Sequence, residues 1–197
     1  MSEHIAYPSN INIVNTAFLV GMPILALTSL IFYSANYGIS WFEPVIFVFF
    51  YLASGLSITA GYHRLFSHSA FQASWPVKVF FACFGAATFE GSILEWCTDH
   101  RYHHRYTDTD KDPYSITRGF WHAHIGWILF KKKLAPPRDN VKDLMADKIV
   151  MWQHRWWIEI ALLVGFVFPA YAGWLIEGSW QGALLGFPLG GMFRLLC

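Results

Sequence analysis

The sequence predicts an all-α protein that crosses a membrane several times. Three apolar runs cover residues 14–33, 44–62 and 158–176, and Glu159 is the only charged residue in them. A helix of about twenty residues rises about 30 Å, which matches the hydrocarbon core of a bilayer. Only 14% of the 197 residues are charged, well below the roughly 25% of soluble domains, and aromatic residues reach 19%. Length, charge and aromatic content together indicate a helical membrane protein.

The first two runs are joined by a short link and form a predicted antiparallel pair. Pro23 lies inside span 1 (14–33), where it can kink the helix without ending it. A tight link over residues 34–43 leads into span 2 (44–62), which ends directly at His63. The chain should therefore return to its starting side at that histidine. The N-terminus lacks the basic and small residues of a cleaved signal peptide, so none is expected.

The basic residues indicate which side of the membrane the middle of the chain faces. Thirteen of the fourteen Lys and Arg residues lie between Arg64 and Arg155. Because cationic segments stay on the cytoplasmic side, residues 63–155 are predicted to form a cytosolic cap. Residues 71–89 within it are apolar but contain Pro76 and Lys78, which favours an interfacial or re-entrant helix. A net charge of +1 gives no support for nucleic acid as a partner.

The last part of the chain holds a complete span and the start of another. Trp152, Trp156 and Trp157 precede span 3 (158–176), as in the aromatic belt of a membrane interface. Residues 182–197 begin a further hydrophobic segment of sixteen residues, which is shorter than a crossing. The three cysteines show no paired spacing, so a disulfide framework is not expected.

Five histidines in two groups are the main functional signal. His100, His103 and His104 have i, i+3 and i+4 spacing, so an α-helix presents them on one side. His63 and His68 are five residues apart, about 140° on an α-helix. They can face one metal only if the helix ends between them, and we expect it to fray by residue 67.

Imidazole groups at this density indicate a transition-metal site. Zinc stays an alternative, but structural zinc prefers four closed ligands that usually include Cys, so iron fits better. Calcium is excluded: the acidic loop 108–119 has Pro113 where an EF-hand needs Gly and Gly119 where it needs Glu. The remaining histidines of the middle region are not expected to ligate the metal; they are His122, His124 and His154.

Four motifs in combination resemble the integral-membrane fatty acyl-CoA desaturases of the stearoyl (Δ9) type. They are H-R-L-F-S-H, E-W-C-T-D-H-R-Y-H-H, D-P-Y-S and R-G-F-W-H-A-H-I-G-W. The match runs from about residue 60 to residue 157, and G-G-M-F-R resembles the start of that family's fourth span. The resemblance implies a four-span fold, with the fourth span incomplete here, and a cytosolic histidine-box cap.

The resemblance also assigns roles to particular residues. The implied metal ligands are His63, His68, His100, His103 and His104. Trp96 and Asp99 match residues of the acyl channel and the acyl-CoA entrance, and Asp99 and Glu95 are candidates to orient the imidazoles. Lys131 and Lys132 fall where the family places basic residues against the CoA phosphates. A stop-transfer flank explains this lysine run equally well.

The implied activity is O2-dependent introduction of a double bond into a fatty acyl-CoA at a histidine-ligated diiron centre. Electrons would come from a carrier such as cytochrome b5 or a ferredoxin, and the bilayer would be the bacterial inner membrane or the endoplasmic reticulum. The family's last ligands, in N-S-x-x-H and H-x-x-H-H, lie beyond the point where this sequence stops. Two alternatives therefore stay open: a truncated, inactive remnant and a histidine-box lipid hydroxylase.

Overall fold

A computed structural model describes residues 10–39, 41–130, 138–192 and 195 of the chain. The described part has no strand, only an isolated antiparallel bridge between Ile11 and Phe130. The α-helices are α1 (Ile13–Tyr37), α2 (Phe42–Leu56), α3 (Trp75–Ala86), α4 (Ile93–Tyr106), α5 (Trp127–Leu129), α6 (Lys142–Met145), α7 (Lys148–Arg155), α8 (Trp157–Leu162), α9 (Phe168–Glu177) and α10 (Trp180–Gly186). Four segments are π-helical: Ser57–Ser67, His122–Gly126, Leu163–Val167 and Phe187–Met192. Short 3-10 helices cover Ile116–Arg118 and Arg138–Val141.

Three continuous helices are long and apolar enough to cross a membrane. They are Ile13–Tyr37, Phe42–Ser67 and Trp157–Glu177. Only 11% of the most apolar stretch of the first helix is buried within the protein, so its other apolar side chains require lipid around them. The prediction of an all-α, multi-pass membrane protein is confirmed. Helix α3 has 12 residues and is too short to cross. The exact limits of the spans and cap stay a prediction.

Helix α1 is anchored to the cap at its N-terminal end. The Asn12 side chain caps the helix by accepting from the N–H of Asn15 at 3.2 Å. The Asn12 N–H donates to the Leu129 carbonyl at 2.8 Å, and the Asn15 amide donates to the Ile128 carbonyl at 3.1 Å. Further along, α1 packs on the π-helical segment Phe187–Met192, which also packs on α2.

The end of span 3 and the segment after it pack closely through glycines. Gly178 ends α9 in the left-handed conformation with φ of 65°, which a residue without Cβ adopts freely. On the two helices that this turn joins, a Cβ on Gly173 or Gly182 would overlap the backbone of the opposite helix, and one on Gly186 would overlap Pro169. Small residues of this kind let helices approach closely in a membrane. The predicted start of span 4 is helical through residue 192, and residues 193, 194, 196 and 197 lie outside the described residues.

A buried hydrophobic cluster forms around Tyr62, which is itself fully buried. Its hydroxyl accepts from the Gln153 amide at 2.8 Å, while the Gln153 carbonyl accepts from the backbone N–H of Ile93 at 3.0 Å. The Tyr62 ring lies so close to Gly85 that a Cβ there would overlap it. These contacts fix the end of span 2 against α3, α4 and α7, the elements that carry or support the two histidine groups.

Candidate metal centre

The first histidine pair lies at the π-helical end of the continuous helix Phe42–Ser67. The helix ends at Ser67, where the sequence-based interpretation expected it to fray, and His68 follows directly as its C-cap residue; the π winding was not expected. The N–H of His68 donates to the carbonyl of His63 at 3.0 Å. Because a π-helix bonds residues five apart, it stacks His68 beside His63. Their ring centroids are 4.6 Å apart.

The second group lies on α4, which begins with a capping box. The Ser92 hydroxyl accepts from the Glu95 N–H at 3.3 Å, and the Glu95 carboxylate accepts from the Ser92 N–H at 3.3 Å. Ile93, Leu94 and Cys97 are completely buried on the core side of the helix. The other side presents His100 and His104 one turn apart. Glu95 therefore caps the helix and was wrongly expected to orient an imidazole.

Four imidazoles from the two segments converge. The group consists of His63, His68, His100 and His104, whose candidate ligand atoms all lie within 4.8 Å of one another. The Nε2 atom of His100 is 3.1 Å from the Nε2 atoms of both His68 and His104. Nitrogen ligands at about 2.1 Å from one metal ion lie at most about 4.2 Å apart, so an inward movement of a few tenths of an ångström closes the set. The four residues can hold one transition-metal ion.

Burial and the neighbouring histidines lower the pKa values of His68 and His100, which favours the neutral form of these two imidazoles. Burial, followed by the neighbouring histidines, lowers the pKa of His100 to about 3. The pKa of His68 is also lowered, first by burial and then by His63 and His104. Neutral imidazole is the form that donates a lone pair to a metal. His68 and His100 therefore have the protonation state that a metal ligand needs at neutral pH.

His103 is directed away from this group of four. Its Nδ1 atom lies 2.8 Å from the carboxylate of Asp112, and its ring stacks on Tyr114 at 4.2 Å. Asp112 is fully buried and also accepts from the N–H groups of Asp108 (3.0 Å) and Tyr114 (3.1 Å). Sequence reasoning missed Asp112 as a partner of a histidine. The D-P-Y-S motif that contains it was the available signal.

The predicted substrate-binding residues have different positions. The ring of Trp96 stacks on His100 at 4.7 Å and meets His63 edge-on at 6.3 Å, while its indole N–H donates to Glu90 at 3.0 Å. Trp96 thus covers one side of the histidine group. Asp99 is half-buried and close enough to Tyr114 to contribute to raising the pKa of that phenol, for which burial is the main cause. Lys131 and Lys132 lie outside the described residues.

Three other histidines have partners elsewhere. His122 is buried with Nε2 3.1 Å from the Pro113 carbonyl, and the ring of His124 stacks on Phe120. The Nδ1 atom of His154 is 2.7 Å from the Ser92 hydroxyl. None of the three belongs to the metal-competent group found among the described residues.

The fold and site together define a class: a multi-pass helical membrane protein with a histidine-rich, metal-competent centre between the end of one spanning helix and the shorter helix α4. The fatty acid desaturase profile matches residues 39–197. The chain is 48% identical to a probable acyl-CoA desaturase of Schizosaccharomyces pombe over 156 residues, covering 78% of this chain and 32% of the relative. It is 39% identical to acyl-CoA desaturase 1 of Saccharomyces cerevisiae over 180 residues, covering 89% and 34%.

Similarity extends to animals. The chain is 36% identical to the stearoyl-CoA desaturase of Bos taurus over 171 residues, covering 81% of this chain and 48% of the relative. The chain belongs to the fatty acid desaturase family. It spans about a third of the length of the two yeast relatives and about half of the bovine one.

Proposed function

We propose that this chain provides the first histidine boxes of an O2-dependent acyl-CoA desaturase that introduces a double bond, at Δ9, into a saturated acyl chain. The observation that carries the proposal is the convergence of four imidazoles, from the end of the helix Phe42–Ser67 and from α4, within 4.8 Å. The named relatives, which are acyl-CoA and stearoyl-CoA desaturases, support the substrate class.

Iron fits the donor set of this centre. The group contains only imidazole nitrogen, without the thiolates that are typical of structural zinc sites. His63, His68, His100 and His104 would hold one iron, and His103 is proposed as a ligand of a second. When bound, iron supplies the activation of O2 that removal of hydrogen from an unactivated methylene requires.

The chain's own residues prepare this chemistry. The buried Asp112 carboxylate keeps the proton of His103 on Nδ1, which leaves the Nε2 lone pair for a metal. The Trp96 indole covers one face of His100 and excludes water from it. We further propose that Trp96 and Asp99 line the acyl channel and its entrance, and that Lys131 and Lys132 bind the CoA phosphates.

Orientation and electron supply are part of the same proposal. The histidine group lies at the end of the helix Phe42–Ser67, and the surrounding residues 63–155 carry nearly all Lys and Arg of the chain. This distribution supports a cytoplasmic position for the centre. An electron carrier such as cytochrome b5 or a ferredoxin could then reach it from the cytosol.

Iron loading and product analysis test the proposal. The chain is purified in detergent, loaded anaerobically with Fe²⁺, and compared with His100→Ala and with His124→Ala as the matched control. We expect about one iron per chain or more in the unchanged protein and in His124→Ala, and a loss in His100→Ala. Stearoyl-CoA, O2 and a reductant are then added to membranes that contain the chain, and the lipids are analysed by mass spectrometry.

Each product pattern separates the proposal from an alternative. A new double bond supports the desaturase. A hydroxylated acyl chain indicates the histidine-box hydroxylase instead. Absence of iron from the unchanged protein, together with absence of product, contradicts the proposal and favours the inactive remnant.

A further inference from the structure

The side chain of Arg101, next to His100 in sequence, joins both histidine segments. Its Nε donates to the Ser67 carbonyl at 2.8 Å, and Nη2 donates to the Phe66 carbonyl at 2.8 Å. Its Nη1 donates to the Asn140 carbonyl at 2.7 Å. Both terminal nitrogens also donate to Asp143, at 2.7 and 2.8 Å. All five N–H donors of the guanidinium are therefore used.

Two of these acceptors lie where the first histidine segment ends. Phe66 and Ser67 are the last residues of the π-helical segment, and carbonyls at a helix end lack intrahelical partners. Ser67 is followed directly by His68, whose side chain is exposed. The two bonds from Arg101 thus hold the backbone that carries His68, while the Arg101 backbone belongs to the helix that carries His100.

The rest of the contacts fix Arg101 itself. Asp143 receives it in a two-pronged ion pair, the geometry in which a guanidinium is most constrained. The Asn140 side chain donates to the Thr98 carbonyl on α4 at 3.1 Å, which adds a second connection between this segment and the helix.

We propose that Arg101 is a positioning residue of the metal centre: by binding the Phe66 and Ser67 carbonyls, it sets the position of His68 relative to His100. This inference rests on the proposed function, since it requires that the histidine group binds a metal. The 3.1 Å separation between the Nε2 atoms of His68 and His100 is the quantity it would control. A purely structural Arg101 would stabilise the cap without a specific link to His68.

Titration with Co²⁺ alone, in the full chain in lipid nanodiscs, tests the proposal. The proteins compared are the unchanged chain, Arg101→Ala, His68→Ala, the double variant and Arg105→Ala. Arg105 is a matched control because it lies one turn further along the same helix and is exposed; it forms an ion pair with Asp139 at 3.8 Å and lies over the Tyr106 ring at 5.8 Å. We expect Arg101→Ala to weaken Co²⁺ binding by about 10- to 100-fold, the usual cost of losing a group that orients a ligand. Arg105→Ala should stay within about twofold.

The double variant distinguishes positioning from general stabilisation. If Arg101 acts through His68, removing both side chains costs no more affinity than removing His68 alone. The visible absorption spectrum of Co²⁺-saturated Arg101→Ala should then match that of His68→Ala, because both have lost the same ligand. Additive losses, or a spectrum identical to that of the unchanged chain, would overturn the proposal.

A second variant covers the case in which Arg101→Ala does not fold. Asp143→Asn keeps an acceptor but loses the charge that holds the guanidinium, and it should weaken Co²⁺ binding by about 2- to 10-fold, again non-additively with His68→Ala. Unchanged affinity in Asp143→Asn would overturn the proposal in that case. If the unchanged chain binds no Co²⁺, the proposed metal centre itself fails, whereas normal binding in Arg101→Ala removes only the positioning role.

Discussion

Replacement of Asp112 by alanine removes the carboxylate around which the loop after α4 is organised. The carboxylate is fully buried and accepts from His103 and from the N–H groups of Asp108 and Tyr114. Asp108 has φ of 58°, a conformation that a non-glycine residue rarely adopts without such support. A buried donor left without an acceptor costs about 1–3 kcal/mol. With three donors and partial relaxation, we expect a loss of about 3–5 kcal/mol.

Thermal unfolding in nanodiscs, followed by tryptophan fluorescence, measures this loss. At about 2–4 °C per kcal/mol for a chain of this size, the midpoint should fall by about 6–20 °C. Asp110→Ala is the matched control, because it removes the same charge from an exposed position in the same loop and should shift the midpoint by less than about 2 °C. Equal shifts for the two variants would refute the assignment of Asp112 as the acceptor that holds His103.

Three further predictions concern the metal, the cap and acid stability. His100→Ala should weaken Co²⁺ binding by at least about 100-fold, measured by titration, because His100 Nε2 is central to the group. Gly85→Ala should destabilise the cap by about 1–3 kcal/mol in thermal unfolding, since its Cβ would overlap Tyr62. Burial by itself would raise the pKa of Asp147, but hydrogen bonds from Lys78 and two backbone N–H groups outweigh it and lower the pKa below its ordinary 3.8. Stability from this carboxylate is therefore present above about pH 4 and lost as the pH falls further, in an unfolding series against pH.

Each of these predictions has a control on the same chain. His124→Ala should bind Co²⁺ normally, because His124 lies outside the metal-competent group; equal losses would contradict the assignment of the site. Gly55→Ala meets no atom within 4 Å and should be neutral, so similar effects at Gly55 and Gly85 would refute the packing argument. Asp147→Asn should flatten the acid limb of the pH series, and an unchanged limb would show that other groups cause it.

The long helices, and the histidines as metal-binding residues, could be predicted because both depend on patterns of residues close together in the sequence. Each long helix contains an apolar run of membrane length, and such a run satisfies its backbone hydrogen bonds within itself. His100 and His104 share a helix face by spacing alone. Glu95 was misread because a carboxylate near histidines in sequence resembles an orienting group, whereas in the fold it reaches back to Ser92 as a cap.

The sequence by itself determined that this is a helical membrane protein with two histidine groups. Apolar runs and i, i+4 spacing are patterns within single segments of the chain, so they are visible without the fold. Only the tertiary structure decided how the groups meet. The π winding of Ser57–Ser67 and the burial of Asp112 beside His103 are visible only in the fold. The five hydrogen bonds of Arg101 join it to residues 34 to 42 positions away. Packing in the core around Tyr62, which includes Phe66 and Leu144, brings those residues together, and spacing along the chain carries no record of it.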